Sequence, residues 1–325
     1  MPDHSGTPSI HVMDPVSDVL RAVRLTGAYF YLVEAGQPWS VFTAAARELV
    51  PRILPRAEHL ISYHILVSGS CWGGLEGQTQ VQLGPGDAIV FPHGGAHLMS
   101  SAPGLRLHSL RDTPARYPNT VQLGPASTRE TMFVCGFLGC DVRPYNPLLA
   151  SLPPQMHLSG IAGGWLSQFP QQAVAESRAE RIGSETMLTR MAELMFVEVI
   201  RRHMERIPDR DTGWLAGLRD PVVGPALAEL HERPAYAWTL PELARRIASS
   251  RTVLAERFSE VVGVPPMMYL TRWRLQLAAE QLVNSSAKVA SVGAQVGYDS
   301  EAAFSRAFKR ETGLSPAAWR RSRQR

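Results

Sequence analysis

Apolar and polar positions change rhythm along this chain. Between about residues 26 and 142 the apolar positions come in short runs, several alternating with polar ones, closed off by Gly and Pro. The runs 28–33, 60–67, 79–83, 88–91, 105–110 and 131–137 have the length and period of strands. Many short strands at this spacing predict a β-sandwich or small barrel. From about Gly163 the period becomes helical. Within 184–206, Met187, Leu188, Met191, Leu194 and Met195 separate from a polar face that carries Glu198 and Arg202. The stripe Met187/Met191/Met195 is read as core, with a helix–helix dimer seam as the other reading. The polar, broken stretch after Ile207 carries Pro208, Asp209, Arg210, Asp211 and Gly213, and is the expected linker, 208–219. Beyond Pro221 the pattern predicts only short helices.

The helical part repeats itself. Ser250, Leu254, Phe258, Gly263, Pro266 and Tyr269 recur in register as Ser300, Phe304, Phe308, Gly313, Pro316 and Trp319. Each pair has a physical reading. The serines suit N-caps. Leu254/Phe258 and Phe304/Phe308 lie one turn apart on an inward face. The glycines suit left-handed helix ends, and the prolines the first turn of a following helix. A shorter helix precedes each copy, with Leu240, Leu243, Ala244 and Ile247 before the first and Val289, Val292, Gly293 and Val296 before the second. Two short helices joined by a tight turn make a helix-turn-helix, and this chain has two. Between them, 266–284 lacks internal Pro and Gly. It reads as one rod of about 28 Å at about 1.5 Å per residue, close to the roughly 34 Å between successive major-groove faces.

These residues carry a resemblance. Gly297-Tyr298-Asp299-Ser300, the run from Ala303 to Arg310, and Thr312-Gly313-Leu314-Ser315-Pro316 resemble the DNA-binding domain of the AraC/XylS family, over 220–321. The resemblance implies recognition helices at about 251–262 and 301–312. It implies base-facing residues Arg251, Thr252, Ala255 and Glu256 in the first, and Glu301, Ala302, Ser305 and Arg306 in the second. Arg306 suits bidentate donation to guanine, and Glu256 acceptance from cytosine. Arg251, Arg257, Arg272, Arg274, Lys309 and Arg310 are expected to neutralise phosphates.

Charge agrees with this division. The chain has 325 residues and a net charge of +4. From Arg219 onward 16 Lys+Arg face 10 Asp+Glu, a net +6, while the remainder carries −2. A basic segment on a slightly acidic body is the footprint of a polyanion binder. The length predicts two domains. No apolar run is long enough for a membrane span, the first residues lack a secretory pattern, and three cysteines are too few for a disulfide framework. The expected location is the cytoplasm.

The strand-rich part has chemistry of its own. The segment from Gly86 to His97, through Pro92, Gly94 and His97, resembles the second cupin motif, with Ser101 where that motif ends in Asn. The first cupin motif is not intact; His64 stands in its region. Together with 14–20 and 146–149, the segment 10–207 resembles the cupin-type effector domain joined to AraC-type regulators. His64 and His97 are candidate effector contacts. His93, His97, Cys135 and Cys140 form a candidate zinc set, since imidazole and thiolate suit that ion. Cys135/Cys140 acting as a redox pair and plain buried residues are the other readings.

The expected architecture is thus an all-β cupin-like barrel with following helices, then an all-α domain with two helix-turn-helix units. The expected function is a sequence-specific, non-enzymatic regulator of transcription, controlled by a ligand, metal or redox signal at the barrel. Its expected partners are operator DNA, a small-molecule effector, a second copy of the chain and RNA polymerase. A cupin-type metal enzyme and a thiol-based repair activator, each with a DNA-targeting appendage, are the alternatives.

Overall fold

A computed structural model describes residues 14–22, 25–107, 120–160, 168–179, 181–208 and 211–323. The chain divides into two compact units, one of Val23–Pro208 and one of residues up to Ala22 together with Asp209–Arg325.

The first element among the described residues is a helix, Pro15–Ala22 (α1), opened by Asp14, whose carboxylate accepts from Val16 N and Ser17 Oγ. Then comes the β-rich unit: Leu25–Gly36 (β1), Ser40–Thr43 (β2), Ala46–Ile53 (α2), His59–Ser68 (β3), Cys71–Leu75 (β4), Val81–Leu83 (β5), Ala88–Phe91 (β6), His97–Ser100 (β7), Thr120–Leu123 (β8), Arg129–Cys140 (β9), Pro147–Ser151 (α3), Met156–Leu158 (β10), Phe169–Ala179 (α4) and Ser184–Arg206 (α5). Six strands form one sheet in the order β10-β6-β3-β9-β1-β8, and four form a second in the order β2-β7-β4-β5. Side chains from both sheets make one core, with Tyr31, Val33, Leu66, Phe133, Cys135 and Phe137 from the first and Cys71 and Met99 from the second. This is why β9 reads as a nearly unbroken apolar run: the strand is buried on both faces from Phe133 onward. On the far face of the large sheet Phe30 meets Tyr63 and Phe169, so α4 covers that side.

The second unit is helical: α1, then Trp214–Arg219 (α6), Val223–Glu232 (α7), Leu240–Arg246 (α8), Arg251–Val262 (α9), Pro266–Asn284 (α10), Val289–Gln295 (α11), Glu301–Thr312 (α12) and Pro316–Arg323 (α13). Ser250 and Ser300 cap α9 and α12 by accepting from Val253 N and Ala303 N, and Gly263 and Gly313 close them in the left-handed region. Phe304, Phe308 and Trp319 pack around Leu275, Ala278 and Leu282 of the connecting helix.

Two boundaries differ from expectation. The expected linker, 208–219, contains α6, whose Trp214 is buried and donates from Nε1 to Tyr269 Oη at 2.7 Å. A polar, Gly-containing stretch conceals such a helix because its apolar residues begin only at Trp214. The helix α1, expected with the barrel, belongs to the other unit: Val19 and Ala22 are buried, and Gln276 of α10 donates to the Ala22 carbonyl at 2.8 Å. The expected strand 105–110 also departs. Residues 105–107 are not in a strand, and 108–110 lie outside the described residues.

Candidate nucleic-acid interface and a buried barrel cluster

Helix α9 turns Leu254, Phe258 and Val261 into the core. At 3.6 residues per turn this leaves Arg251, Thr252, Val253 and Glu256 outside, all exposed, with Ala255 at the margin. Helix α12 does the same with Phe304, Ala307 and Phe308, exposing Glu301, Ala302, Arg306, Lys309 and Arg310, with Ser305 half-buried. The expected base-facing residues therefore share the outer faces of two capped helices. Val253, 49% exposed, is an apolar member of that face which sequence reading missed. Its position three residues after the Ser250 cap was the available signal.

Three of the expected phosphate neutralisers are otherwise engaged. Arg257 pairs with Asp220 and Glu260, each at 2.8 Å, and Arg272 pairs with Glu311 at 3.4 Å. The Arg274 guanidinium is turned inward onto backbone carbonyls of residues 234, 236 and 297. Helical periodicity marks an arginine as polar but does not show whether water or a neighbouring hairpin meets it.

The β-rich unit holds a different arrangement. His64 of β3 and Cys135 of β9 are cross-strand partners in register, and His97 lies on β7 of the opposite sheet. Cys135 Sγ lies 2.8 Å from His64 Nδ1, His64 Nε2 lies 2.8 Å from His97 Nε2, and His97 Nδ1 lies 2.8 Å from the Gly95 carbonyl. A carbonyl only accepts, so His97 Nδ1 carries hydrogen and its Nε2 accepts. His64 Nε2 then donates, leaving His64 Nδ1 to accept from the Cys135 thiol. All three side chains are buried, with His97 stacked on Phe91 at 3.9 Å between ring centroids.

Burial drives the titration of this chain. It holds the His64 imidazole well below the usual range, further depressed by His97. It lowers His97 to about 4, partly offset by the Gly95 carbonyl. It pushes the Cys135 thiol far up, against a hydrogen bond from Tyr31. The group is thus two neutral imidazoles and a protonated thiol, joining the two sheets inside an apolar core.

This geometry does not gather the expected zinc set. His93 is exposed and bonds the Leu152 carbonyl at 2.8 Å. Cys135 and Cys140 lie five positions apart on one extended strand, roughly 17 Å along the backbone and on opposite faces. Neither a shared metal nor a disulfide between them is compatible with that separation. Even Cys135 and His97 meet opposite nitrogens of His64, so three donors do not converge on one point. Among the described residues no group of three or more His, Cys, Asp or Glu is placed to hold a metal ion. The donor set therefore does not fit zinc.

Comparisons with known proteins follow this division. Residues 14–205 match the family model described as Cupin, and 243–322 match the model described as Helix-turn-helix domain. A protein of Streptomyces antibioticus bearing the name AraC-like transcription regulator is 33% identical over 95% of this chain and 99% of its own length. The HTH-type transcriptional regulator AlkR of Acinetobacter baylyi is 27% identical over 95% of this chain and 99% of its own. The DNA-binding domain of AdpA, solved in complex with a target DNA, is 30% identical over 32% of this chain and 92% of that one, with a TM-score of 0.30. The chain belongs to the AraC-like DNA-binding transcription regulators, with a cupin domain ahead of its helix-turn-helix domain.

Proposed function

We propose that the chain reads an operator with α9 and α12 in successive major grooves of one duplex face, and that the barrel gates this reading in response to a small-molecule effector. The observation that carries the first part is the pair of capped helices that expose side chains at matching positions, Arg251 and Glu256 on α9 and Glu301 and Arg306 on α12, joined by the 19-residue α10. A rod of about 28 Å matches a groove repeat of about 34 Å once helix width is added. Lys309 and Arg310 supply phosphate contacts beside Arg306.

The effector reading rests on the His64–His97 bond, which ties the two sheets and would be exchanged for polar contacts to a ligand. A buried, protonated thiol supports this over a redox signal, since thiolate is the reactive form. The absence of converging donors among the described residues supports it over a metal signal and over a metal enzyme. We read the protein as a non-enzymatic regulator acting in the cytoplasm as a homodimer, with RNA polymerase as its downstream contact. Linkage then requires effector and DNA to change each other's affinity by one factor.

Selecting duplexes from a random pool with the full-length protein, followed by hydroxyl-radical footprinting, tests the DNA part. Two protected patches one helical turn apart on one face are expected. A single patch, or no enriched sequence, would reject it.

A further inference from the structure

Arg274 stands inside α10, the rod between the two hairpins, and its guanidinium is spent on backbone. Nε donates to the Pro234 carbonyl at 2.6 Å and Nη2 to the Tyr236 carbonyl at 2.7 Å, both in the loop that leads into α8. Nη1 donates to the Gly297 carbonyl at 3.3 Å, in the turn between α11 and α12. One side chain therefore grips the entry loop of the first hairpin and the turn of the second. Loop and turn also meet directly. Gly297 has φ +87°, and a Cβ there would lie 2.6 Å from the Ala235 carbonyl oxygen and 2.9 Å from Arg274 Nη2. Three acceptors in different directions suit a planar fork of donors; a lysine ammonium at the end of a flexible stem does not span them.

We propose that Arg274 is a positioning residue, which fixes the separation and angle of α9 and α12 and so sets the operator spacing the protein accepts, without touching DNA. The inference rests on the operator-reading function above. One base pair inserted between two half-sites moves the second by about 3.4 Å and turns it by about 35°. A stiff joint cannot follow that change, whereas a loosened one can.

The test uses full-length protein and a duplex enriched by the wild type, with derivatives carrying one base pair more or fewer between the two protected patches. Arg274→Lys and Arg274→Gln are compared with Arg320→Lys, which loses bonds to the Leu282 and Ala287 carbonyls but leaves this joint alone. The wild type is expected to prefer its own spacing at least tenfold. Both Arg274 variants should cut that preference threefold or more, with an unchanged salt slope, while Arg320→Lys keeps it. Arg274 variants that bind more weakly but keep the wild-type preference would overturn the proposal. So would a salt slope reduced by about one unit in Arg274→Gln, the mark of a lost phosphate contact. If Arg274→Gln does not fold, Arg274→Lys and Gly297→Ala, which crowds the same joint, carry the comparison. A pool that yields no preferred sequence would remove the operator-reading function and this inference together, whereas a preferred sequence with unmoved spacing removes only the inference.

Discussion

The carboxylate of Asp18 lies 3.7 Å from the Nδ1 of His231, joining α1 to α7, a helix that follows the barrel in sequence. That distance is too long for a hydrogen bond, and burial lowers the His231 pKa, so the contact is a carboxylate facing a neutral imidazole. His231 Nε2 faces the Tyr269 hydroxyl at 2.7 Å, and that hydroxyl also receives Trp214 Nε1–H. Accepting the indole N–H, the tyrosine hydroxyl donates to His231 Nε2, which leaves Nδ1–H toward Asp18. Val19 and Ala22 complete the contact as buried apolar groups.

Val19→Ala is therefore expected to destabilise the helical unit, not the barrel, by about 1.5 kcal/mol, the value of two buried methylenes. Denaturant unfolding followed by the fluorescence of Trp214 and Trp273 measures it. A loss confined to the β-rich unit would contradict the docking of α1.

Acid should weaken the β-rich unit. His97 and His64 are depressed by burial, as is His59 to a lesser extent. An imidazole with a lowered folded pKa contributes stability that is complete above its unfolded value near 6.5 and is lost as pH falls. A fall to about 4 for His97 corresponds to roughly 3 kcal/mol lost between pH 6.5 and 4. Unfolding curves at pH 7.5, 6 and 4.5 check this, and His97→Gln should flatten the dependence. An equally steep profile in that variant would assign the effect elsewhere.

Arg306→Ala is expected to lower specific DNA affinity by roughly 1–3 kcal/mol and relax one base position. Lys309→Ala should weaken all sequences alike and reduce the salt slope by about one. Binding profiles over operator variants separate the two, and an unchanged profile in Arg306→Ala would remove its assignment to a base.

Two glycines give a paired comparison. Gly313 closes α12 at φ +77° with nothing within 4 Å of an added Cβ, so Gly313→Ala carries only the left-handed penalty, about 1–2 kcal/mol. Gly297→Ala carries the same penalty plus the clash with Ala235 and should be clearly worse. Thermal unfolding ranks them. Equal losses would show that the Ala235 loop yields freely.

Much of the helical unit was legible because its signals are local. Ser250, Ser300, Gly263 and Gly313 act on backbone within a turn of themselves, so their spacing alone marks the helices. Short strands such as Ser40–Thr43 and His97–Ser100 were not legible, because four residues carry too little alternation. Pairings across the chain were equally hidden. Cys135 meets His64 through strand register, not through proximity to Cys140, and a sequence shows only the second. Arg274 looked like one more surface cation because nothing local announces that two loops converge on it. Val19 and Asp18 were grouped with the barrel for the same reason: helix periodicity reveals an apolar side but not what will cover it.

The barrel is thus an insertion into the helical unit, flanked in sequence by two pieces of one object. Cutting the chain where the barrel ends would release a fragment lacking the segment that covers Gln276 and His231. Such a fragment would expose a fresh greasy seat on α7 and α10, and workers who express it alone should expect poorer solubility than from one fused to residues 14–22.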